Sequence, residues 1–197
     1  MILKWIFDRV VALLGLLFLW PVLVVIAILV RAKMPGGPVI FKQKRVGQHG
    51  KLFTMYKFRS MGVQDPKKEA KEWTTKNDVR VTPVGRVIRK TSLDELPQFW
   101  NVLKGDMSIV GPRPHMLHHT EIYSELIDKY MVRHFCKPGI TGWAQVTGFR
   151  GETKELWQME ERVERDIWYI EHWTFMLDIK IIYKTIKSVI IPDKHAY

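Results

Sequence analysis

The longest apolar stretch of the chain lies near its N-terminus, where Val10–Val30 contains no charged residue. Its aliphatic run is interrupted chiefly by Gly15, Trp20 and Pro21. As an α-helix, this stretch would be about 30 Å long at roughly 1.5 Å per residue, which is enough to cross the hydrocarbon core of a bilayer. A cleaved signal peptide is disfavoured because basic residues, and no small-x-small cleavage site, follow the stretch.

The topology of this segment depends on its proline and on its charged flanks. Pro21 lies at the middle, where it removes one helical hydrogen bond. A simple crossing would place one basic flank outside the cytoplasm, whereas a helix that breaks and returns keeps both flanks on one side. On the residues alone the re-entrant and spanning alternatives both stay open, and a buried core helix is a poor third. The basic flanks are Lys4 and Arg9 before the stretch, and Arg31, Lys33, Lys42, Lys44 and Arg45 after it.

The rest of the chain is predicted to be mainly helical with a few short strands. Leu156, Met159, Val163, Ile167 and Ile170 recur at three- and four-residue steps, which is typical of an amphipathic helix. The tryptophans of this C-terminal region suit either a membrane interface or core packing. The predicted elements are a breaker cluster at 34–38, strands at 39–41 and 52–58 around a turn with Gly47 and Gly50, a charged loop or short helix at 65–78 with Lys67 and Lys68, a turn within 80–89, helices at 92–103 and 115–135, a loop at 137–143, an extended piece at 144–146, and two helical pieces within 153–191.

Charge narrows the range of partners. The 197 residues have a formal net charge of +11, so the chain favours anions such as nucleic acid, acidic lipid headgroups or phosphorylated substrates. The single cysteine, Cys136, excludes an internal disulfide and fits a reducing compartment. Binding to nucleic acid is the alternative from another class, but no recognition helix or aromatic platform stands out to support it.

Asp94 and Glu95 are adjacent carboxylates, which can hold a divalent metal or supply a nucleophile. Ser92 and Glu95 fit a capping-box pattern at the start of a helix, and a helix beginning at Pro97 is the alternative. Acidic residues are also favoured in the first turn of helices for structural reasons alone. Taken by itself, the pair is therefore compatible with a purely structural role.

Arg113 stands between Pro112 and Pro114, which restrict its backbone and favour a positioned phosphate clamp. The two glycine-rich phosphate-binding patterns, Gly-x-x-x-x-Gly-Lys-Ser/Thr and Gly-x-Gly-x-x-Gly, are both absent from the sequence. Other basic residues at 57, 59, 86, 89 and 90 suit a cationic face. His115, His118 and His119 resemble a metal cluster, but zinc binding is disfavoured because no third ligand is established.

Seven motifs in order resemble the bacterial sugar transferase family, the monotopic phosphoglycosyl transferases. The resemblance covers nearly the whole chain, and the number of motifs matters more than any single one. The motifs are Phe7-Asp8, the apolar segment interrupted by proline, and residues 37–43, 56–61, 93–98, 108–114 and 137–142.

This resemblance implies an α+β, mainly helical fold. Residues 1–33 would form a re-entrant membrane helix-break-helix, and residues 34–197 a compact cytoplasmic catalytic domain with short strands and interfacial amphipathic helices. The implied location is the cytoplasmic face of the bacterial inner membrane. The implied partners are a UDP-sugar, undecaprenyl phosphate and membrane lipid, without nucleic acid, and a homodimer is compatible with the family.

The resemblance also implies a reaction, the Mg²⁺-dependent transfer of a sugar phosphate from a UDP-sugar to the polyprenol phosphate with release of UMP. Asp94 would be the nucleophile, and Glu95 would assist through the metal or a proton. The resemblance also implies that both carboxylates are metal ligands. The implied substrate-binding residues are Lys57, Arg59, Arg89, Arg113, Asp166 and Tyr169.

Residues 142–146 and 150–153, together with the histidines after Pro114, resemble the members of the family that use UDP-glucose. Thr120, Thr147 and Phe149 depart from the residues usual there, which leaves the sugar open between glucose, galactose and N-acetylated sugars. Many relatives carry a further N-terminal membrane domain. The sequence leaves open whether the chain is a minimal enzyme or a catalytic fragment.

Overall fold

The computed structural model describes residues 2–63, 75, 78–151, 153 and 155–190, and these residues are mainly helical with short strands. This confirms the predicted fold class in its coarse form. The predicted charged segment at 65–78, including Lys67 and Lys68, lies almost entirely outside the described residues. The elements are α1 (Ile2–Lys33), β1 (Ile40–Val46), β2 (Leu52–Phe58), α2 (Pro83–Lys90), α3 (Gln98–Lys104), β3 (Ser108–Val110), α4 (Leu117–Leu126), β4 (Gly139–Thr141), α5 (Trp143–Val146), α6 (Leu156–Glu171) and α7 (Phe175–Ile190), with 3₁₀ turns at Gln48–Gly50, Leu93–Glu95 and Tyr130–Phe135.

Helix α1 is one helix of 32 residues that contains Pro21, so the helix has no non-helical interruption at the proline. The re-entrant membrane topology predicted for it stays a prediction. A proline lacks only its own N–H donor and displaces one carbonyl, and a helix can continue on both sides of that defect. The helix ends at Lys33, directly before the predicted breaker cluster. By length and composition, α1 is sufficient to cross a membrane.

The chain divides into two compact units, residues 1–44 with 54–105 and residues 45–53 with 106–197. In the first unit, Ile26 and Val30 of α1 pack with Met34, Phe58 and Ile88 in a buried apolar cluster. The C-terminal part of α1 is therefore part of that unit's core. The predicted division at residue 33 concerns the membrane and stays a prediction.

The basic stretch before the acidic pair forms helix α2, so the prediction of a turn there is wrong. Thr82 caps the helix by accepting a hydrogen bond from Gly85 N over 2.9 Å, and Pro83 occupies the start of the helix, where its missing N–H costs nothing. A side chain at Gly85 would lie 1.8 Å from the carbonyl oxygen of Ser60. The glycine is needed for close packing and not for a turn.

In the second unit, β3 and β4 pair in parallel, with Ser108 opposite Gly139 and Val110 opposite Thr141. The loop predicted at 137–143 contains strand β4 at 139–141, and the extended piece predicted at 144–146 is wrong because these residues lie in α5. The helix predicted at 115–135 is shorter, because α4 ends at Leu126 and Lys129 has a φ of 61°. The two C-terminal helical pieces are confirmed as α6 and α7.

Candidate active site

The acidic pair lies in the 3₁₀ turn Leu93–Glu95, ahead of α3. Ser92 has a left-handed φ of 58° and its side chain makes no capping bond, so the capping-box prediction is wrong. The alternative start is confirmed, with Pro97 at the N-cap of α3. Asp94 and Glu95 are nevertheless buried, with 7% and 9% of their surface exposed. Because burial of a carboxylate is costly without polar partners, this turn is a specialised site and not an ordinary helix start.

Lys57 at the end of β2 pairs with this turn. Its Nζ donates to Glu95 Oε1 over 2.7 Å, and the two side chains are only 16% and 11% exposed. The first unit therefore brings together three predicted site residues, Lys57, Asp94 and Glu95. The contact also shows what Lys57 does in this structure, which is to neutralise and orient Glu95.

The donor set of the turn fits Mg²⁺ in a particular way. This ion is commonly held by one or two carboxylates while waters and substrate phosphates complete its octahedron. Asp94 and Glu95 supply two carboxylates, although Lys57 engages one oxygen of Glu95. Within the described part of the chain, there is no group of three or more His, Cys, Asp or Glu side chains that could hold a metal by itself. The residues present thus fit a metal completed by substrate.

The histidine cluster does not support zinc. His115 is buried, and its Nδ1 lies 2.6 Å from both Tyr130 Oη and Arg133 Nη1. An arginine only donates, so Nδ1 accepts and is engaged. Burial, followed by the nearby arginines, holds the pKa of His115 well below its usual value. The side chain is a neutral structural acceptor in the second unit.

Two further predicted substrate-binding arginines lie in the first unit. Arg59 is buried, and its Nη2 donates to the carbonyl oxygens of Met34 and Gly37, 3.2 Å away in the second case. Its guanidinium therefore fixes the chain just after α1. Arg89 is half-buried in the last turn of α2, five residues before Asp94. The substrate contacts predicted for both residues stay predictions.

Arg113 belongs to the second unit, on a segment whose carbonyl oxygens from Pro112 to His115 all accept hydrogen bonds. A side chain at Gly139 would lie 2.1 Å from Gly111 N, so only glycine allows β3 and β4 to approach this closely. The half-buried Arg113 is thus displayed from a fixed backbone. Four consecutive carbonyl oxygens of this segment accept hydrogen bonds, Pro112 from Gly139 N (2.9 Å), Arg113 from Arg133 Nη2 (2.8 Å), Pro114 from Arg45 Nη1 (3.3 Å) and His115 from Val46 N (3.2 Å).

Asp166 is 2% exposed and forms an ion pair with Arg133, whose Nη2 lies 2.6 Å from its Oδ2. Burial raises the pKa of Asp166, while Arg133 and Arg162 act in the opposite direction. Burial also lowers the pKa of Arg162, to about 10, with Arg133 and Arg113 adding to the effect. The second unit therefore contains several cationic side chains near one buried carboxylate.

Tyr169, the other predicted C-terminal site residue, is 3% exposed. Its hydroxyl lies 2.6 Å from Asp178 Oδ1 and 3.3 Å from the carbonyl oxygen of Val110. These contacts join α6, α7 and β3. The geometry thus gives Tyr169 a structural role inside the second unit, and its predicted substrate contact stays a prediction.

Sequence reasoning missed Arg133, Arg162 and Asp178. Arg133 and Arg162 are 2% and 8% exposed, and Asp178 is completely buried. Charged residues are assigned to the surface by default, because few of them are buried unless they are paired. Arg133 is identified by His115 and Asp166, which lie 18 and 33 positions away. Asp178 is identified by Tyr169 and Trp173, nine and five positions away, and no sequence pattern indicates either set of contacts.

The first unit therefore contains an apolar helix long enough to cross a membrane and a buried acidic turn, and the second unit contains an arginine held on a hydrogen-bonded glycine–proline segment. The chain belongs to the bacterial sugar transferase family, whose model matches residues 1–192. It is 55% identical over 190 residues to a protein of Escherichia coli (strain K12) named UDP-glucose:undecaprenyl-phosphate glucose-1-phosphate transferase, with 96% of this chain and 40% of that protein covered.

Two further relatives show how the similarity is distributed. A Xanthomonas campestris pv. campestris protein with the same name is 51% identical, over 96% of this chain and 39% of its own length. A Bacillus subtilis (strain 168) protein named uncharacterized sugar transferase EpsL is 44% identical, over 98% of this chain and 90% of its own length. The chain thus spans about two fifths of the first two relatives and nearly all of the third.

Proposed function

We propose that this protein transfers a sugar 1-phosphate from a UDP-sugar to undecaprenyl phosphate, releasing UMP. This would be the first membrane step in the synthesis of an exopolysaccharide, capsule or glycan. The observation that carries the proposal is the buried Asp94–Glu95 pair, with Lys57 on Glu95, in a chain of the bacterial sugar transferase family. The names of the relatives support the substrate classes.

The reaction proceeds in two displacements at one phosphorus atom. A carboxylate oxygen of Asp94 attacks the β-phosphorus of the UDP-sugar, and the bond from that phosphorus to the bridging oxygen breaks, so that UMP leaves. The sugar phosphate is then held on Asp94 as an acyl phosphate. A phosphate oxygen of undecaprenyl phosphate attacks the same phosphorus, the bond to Asp94 breaks, and the carboxylate is regenerated.

The other residues supply charge and position. Lys57 keeps Glu95 oriented, and Glu95 holds the metal or a proton beside Asp94. When bound, Mg²⁺ neutralises phosphate charge and supports in-line displacement. Arg113 presents a planar guanidinium that can donate two parallel hydrogen bonds to phosphate oxygens. Arg59 and Arg89 would add positive charge from the first unit.

Two exposed apolar surfaces, on α1 and α7, support a position of the protein at the membrane. Helix α1 exposes large side chains along its length, among them Leu17, Phe18 and Trp20 at 60%, 72% and 60%. We propose that α1 enters the cytoplasmic leaflet of the inner membrane and returns near Pro21, because basic residues flank it on both sides. Residues 34–197 then form the cytoplasmic catalytic domain.

Helix α7 is the second such surface. Met176, Tyr183 and Ile186 are 71%, 66% and 55% exposed, whereas Asp178 and Ile181 are completely buried. Lys180, Lys184 and Lys187 follow at helical spacing. An exposed apolar stripe beside lysines is typical of a helix lying in the headgroup region of a bilayer, and so supports an interfacial position for α7.

The proposal is tested by incubating the protein in detergent or vesicles with undecaprenyl phosphate, Mg²⁺ and separate UDP-sugars. The panel contains UDP-glucose, UDP-galactose and UDP-N-acetylated sugars, and released UMP is measured. We expect repeated turnover with UDP-glucose, dependent on both Mg²⁺ and the lipid. If no sugar in the panel gave UMP, the proposed function would be wrong.

A second measurement tests the covalent step. Without the lipid acceptor, we expect no more than about one UMP per active site, together with a phosphosugar on the peptide that contains Asp94. Asp94→Asn should show neither, while Asp128→Asn, an exposed aspartate on the loop after α4, should behave as wild type. UMP release that required both substrates together would favour a direct transfer instead.

A further inference from the structure

The guanidinium of Arg133 is bonded in three directions. Its Nε and Nη2 donate to Asp166 Oδ2 over 3.1 and 2.6 Å, and Nη2 also donates to the carbonyl oxygen of Arg113 over 2.8 Å. Its Nη1 lies 2.6 Å from Nδ1 of His115. The side chain is 2% exposed, and each of its three nitrogens has a partner. Arg133 therefore has little capacity left for a ligand.

The bond to Arg113 is the one with a functional consequence. Pro112 and Pro114 restrict the backbone around Arg113, but they do not by themselves fix the direction of its carbonyl group. The hydrogen bond from Arg133 fixes that direction and, with it, the starting point of the Arg113 side chain. A displacement of about 1 Å at a reacting group can cost on the order of a hundredfold in rate.

Asp166 is required for this arrangement because a buried arginine needs a counter-charge. Removing the guanidinium from water is unfavourable, and a carboxylate oxygen 2.6 Å away offsets that cost. Asp166 is as buried as Arg133, so its carboxylate is not presented to solvent.

We propose that Arg133 is a positioning residue for Arg113, and that Asp166 acts on the reaction through Arg133 without touching substrate. This inference rests on the proposed function and changes the role that the family resemblance implies for Asp166. Within the second unit, Asp166 holds the guanidinium of Arg133, and Arg133 in turn holds the carbonyl group of Arg113.

The dependence of Arg113 on Arg133 is tested by comparing kcat/KM of the single and double variants. Arg133→Lys keeps a positive charge for Asp166 but loses the fork that reaches Arg113, and we expect kcat/KM to fall at least about tenfold. Arg113→Lys should lose a similar factor. If Arg133 acts through Arg113, the double variant falls no more than about threefold below the weaker single variant. Asp166→Asn should show the same dependence on Arg113.

The matched control is Arg86→Lys, an exposed arginine of α2 that should stay near wild type. Thermal midpoints of all variants are measured in parallel, so that a loss of folded protein is not counted as lost positioning. Losses that multiply, to about a hundredfold in the double variant, would overturn the proposal, because they mean that Arg133 and Arg113 act independently.

A second readout does not depend on activity. Since Arg133 donates to Nδ1, His115 must carry its proton on Nε2, and ¹⁵N spectra of the labelled histidines should show that tautomer. Arg133→Met combined with Asp166→Asn removes the pair together and should weaken this preference, which the hydroxyl of Tyr130, also 2.6 Å from Nδ1, can still support as a donor. An Nδ1–H tautomer in the wild type would overturn the assigned contacts. A wild type without UMP release would instead refute the proposed function and leave this readout intact.

Discussion

Lys57 Nζ lies 2.7 Å from Glu95 Oε1, and this contact joins strand β2 to the turn that carries Asp94. Both side chains are largely removed from water, at 16% and 11% exposure. Breaking a buried pair by removing one partner typically costs about 3–5 kcal/mol, because the remaining charge is left unpaired. Lys57 is therefore expected to matter through Glu95, in addition to any contact with phosphate.

This expectation is tested with Lys57→Met. We predict a loss of kcat/KM of at least about tenfold and a lower thermal midpoint, because Glu95 loses its counter-charge. In a Glu95→Gln background, the further effect of Lys57→Met should be small, since no unpaired carboxylate remains. Kinetics and melting of the four proteins give the coupling. Independent, multiplying losses would mean that Lys57 serves the substrate directly.

Asp94→Asn should abolish turnover and leave the fold intact, because an amide cannot act as the anionic nucleophile while its shape is nearly the same. UMP release and the thermal midpoint measure the two parts of this prediction. Asp128→Asn, with the same chemical change at an exposed position, is the matched control. Glu95→Gln should also be severely impaired, with a larger residual activity. Wild-type turnover by Asp94→Asn would exclude the aspartyl mechanism.

Long, periodic elements could be predicted from the sequence, and short ones could not. The apolar run of α1 and the spaced apolar residues of α6 carry enough pattern to identify a helix. Strands β3 and β4 have three residues each, so no alternation can be seen, and their pairing joins residues about thirty positions apart. Gly85 suggested a turn, although its real task is to let α2 approach Ser60.

The residues of the candidate site also differ in how far the sequence alone could predict them. Adjacent carboxylates and an arginine between prolines are visible as local patterns, and motif order related them to a family. The ion pair of Arg133 with Asp166 joins positions 33 residues apart, and the pair of Lys57 with Glu95 joins positions 38 apart. Such contacts are determined by the tertiary fold, which a single sequence does not display.

The re-entrant topology proposed for α1 can be tested by locating residues 2 and 197 relative to the membrane. Residue 2 and residue 197 should both face the cytoplasm if α1 enters and returns, and cysteines introduced there should resist an impermeant thiol reagent in intact cells. The background is Cys136→Ser. Labelling of the N-terminal cysteine alone would establish a crossing helix instead.

Pro21→Leu is the companion variant. It restores the missing helix donor and removes the steric clash of the ring, so it should favour a straighter helix. We expect the N-terminal cysteine to become labelled in a larger fraction of molecules than in the Pro21 protein. Val22→Leu, an apolar change one residue away with no effect on backbone bonding, is the control. Equal labelling of both variants would exclude a role for Pro21 in topology.

Three buried histidines predict how stability depends on pH. Burial lowers the pKa of His119 and of His134 to about 4, with Arg45 and Arg133 respectively adding to the effect, and it also holds the pKa of His115 well below its usual value. Their usual value is 6.5, so the unfolded chain binds these protons first as the pH falls. The stabilising contribution is therefore complete above about pH 6.5 and is lost as the pH falls toward 4.

The size of the effect follows from the number of protons. Each proton taken up only on unfolding changes the free energy of unfolding by about 1.4 kcal/mol per pH unit. We predict that the thermal midpoint in detergent, at constant ionic strength, falls steadily between pH 6.5 and 5, above the range where most carboxylates titrate. His119→Gln and His134→Gln should each reduce that slope, because glutamine does not titrate. Equal slopes in the wild type and both variants would show that other groups cause the acid sensitivity and that these histidines are not desolvated as the structure implies.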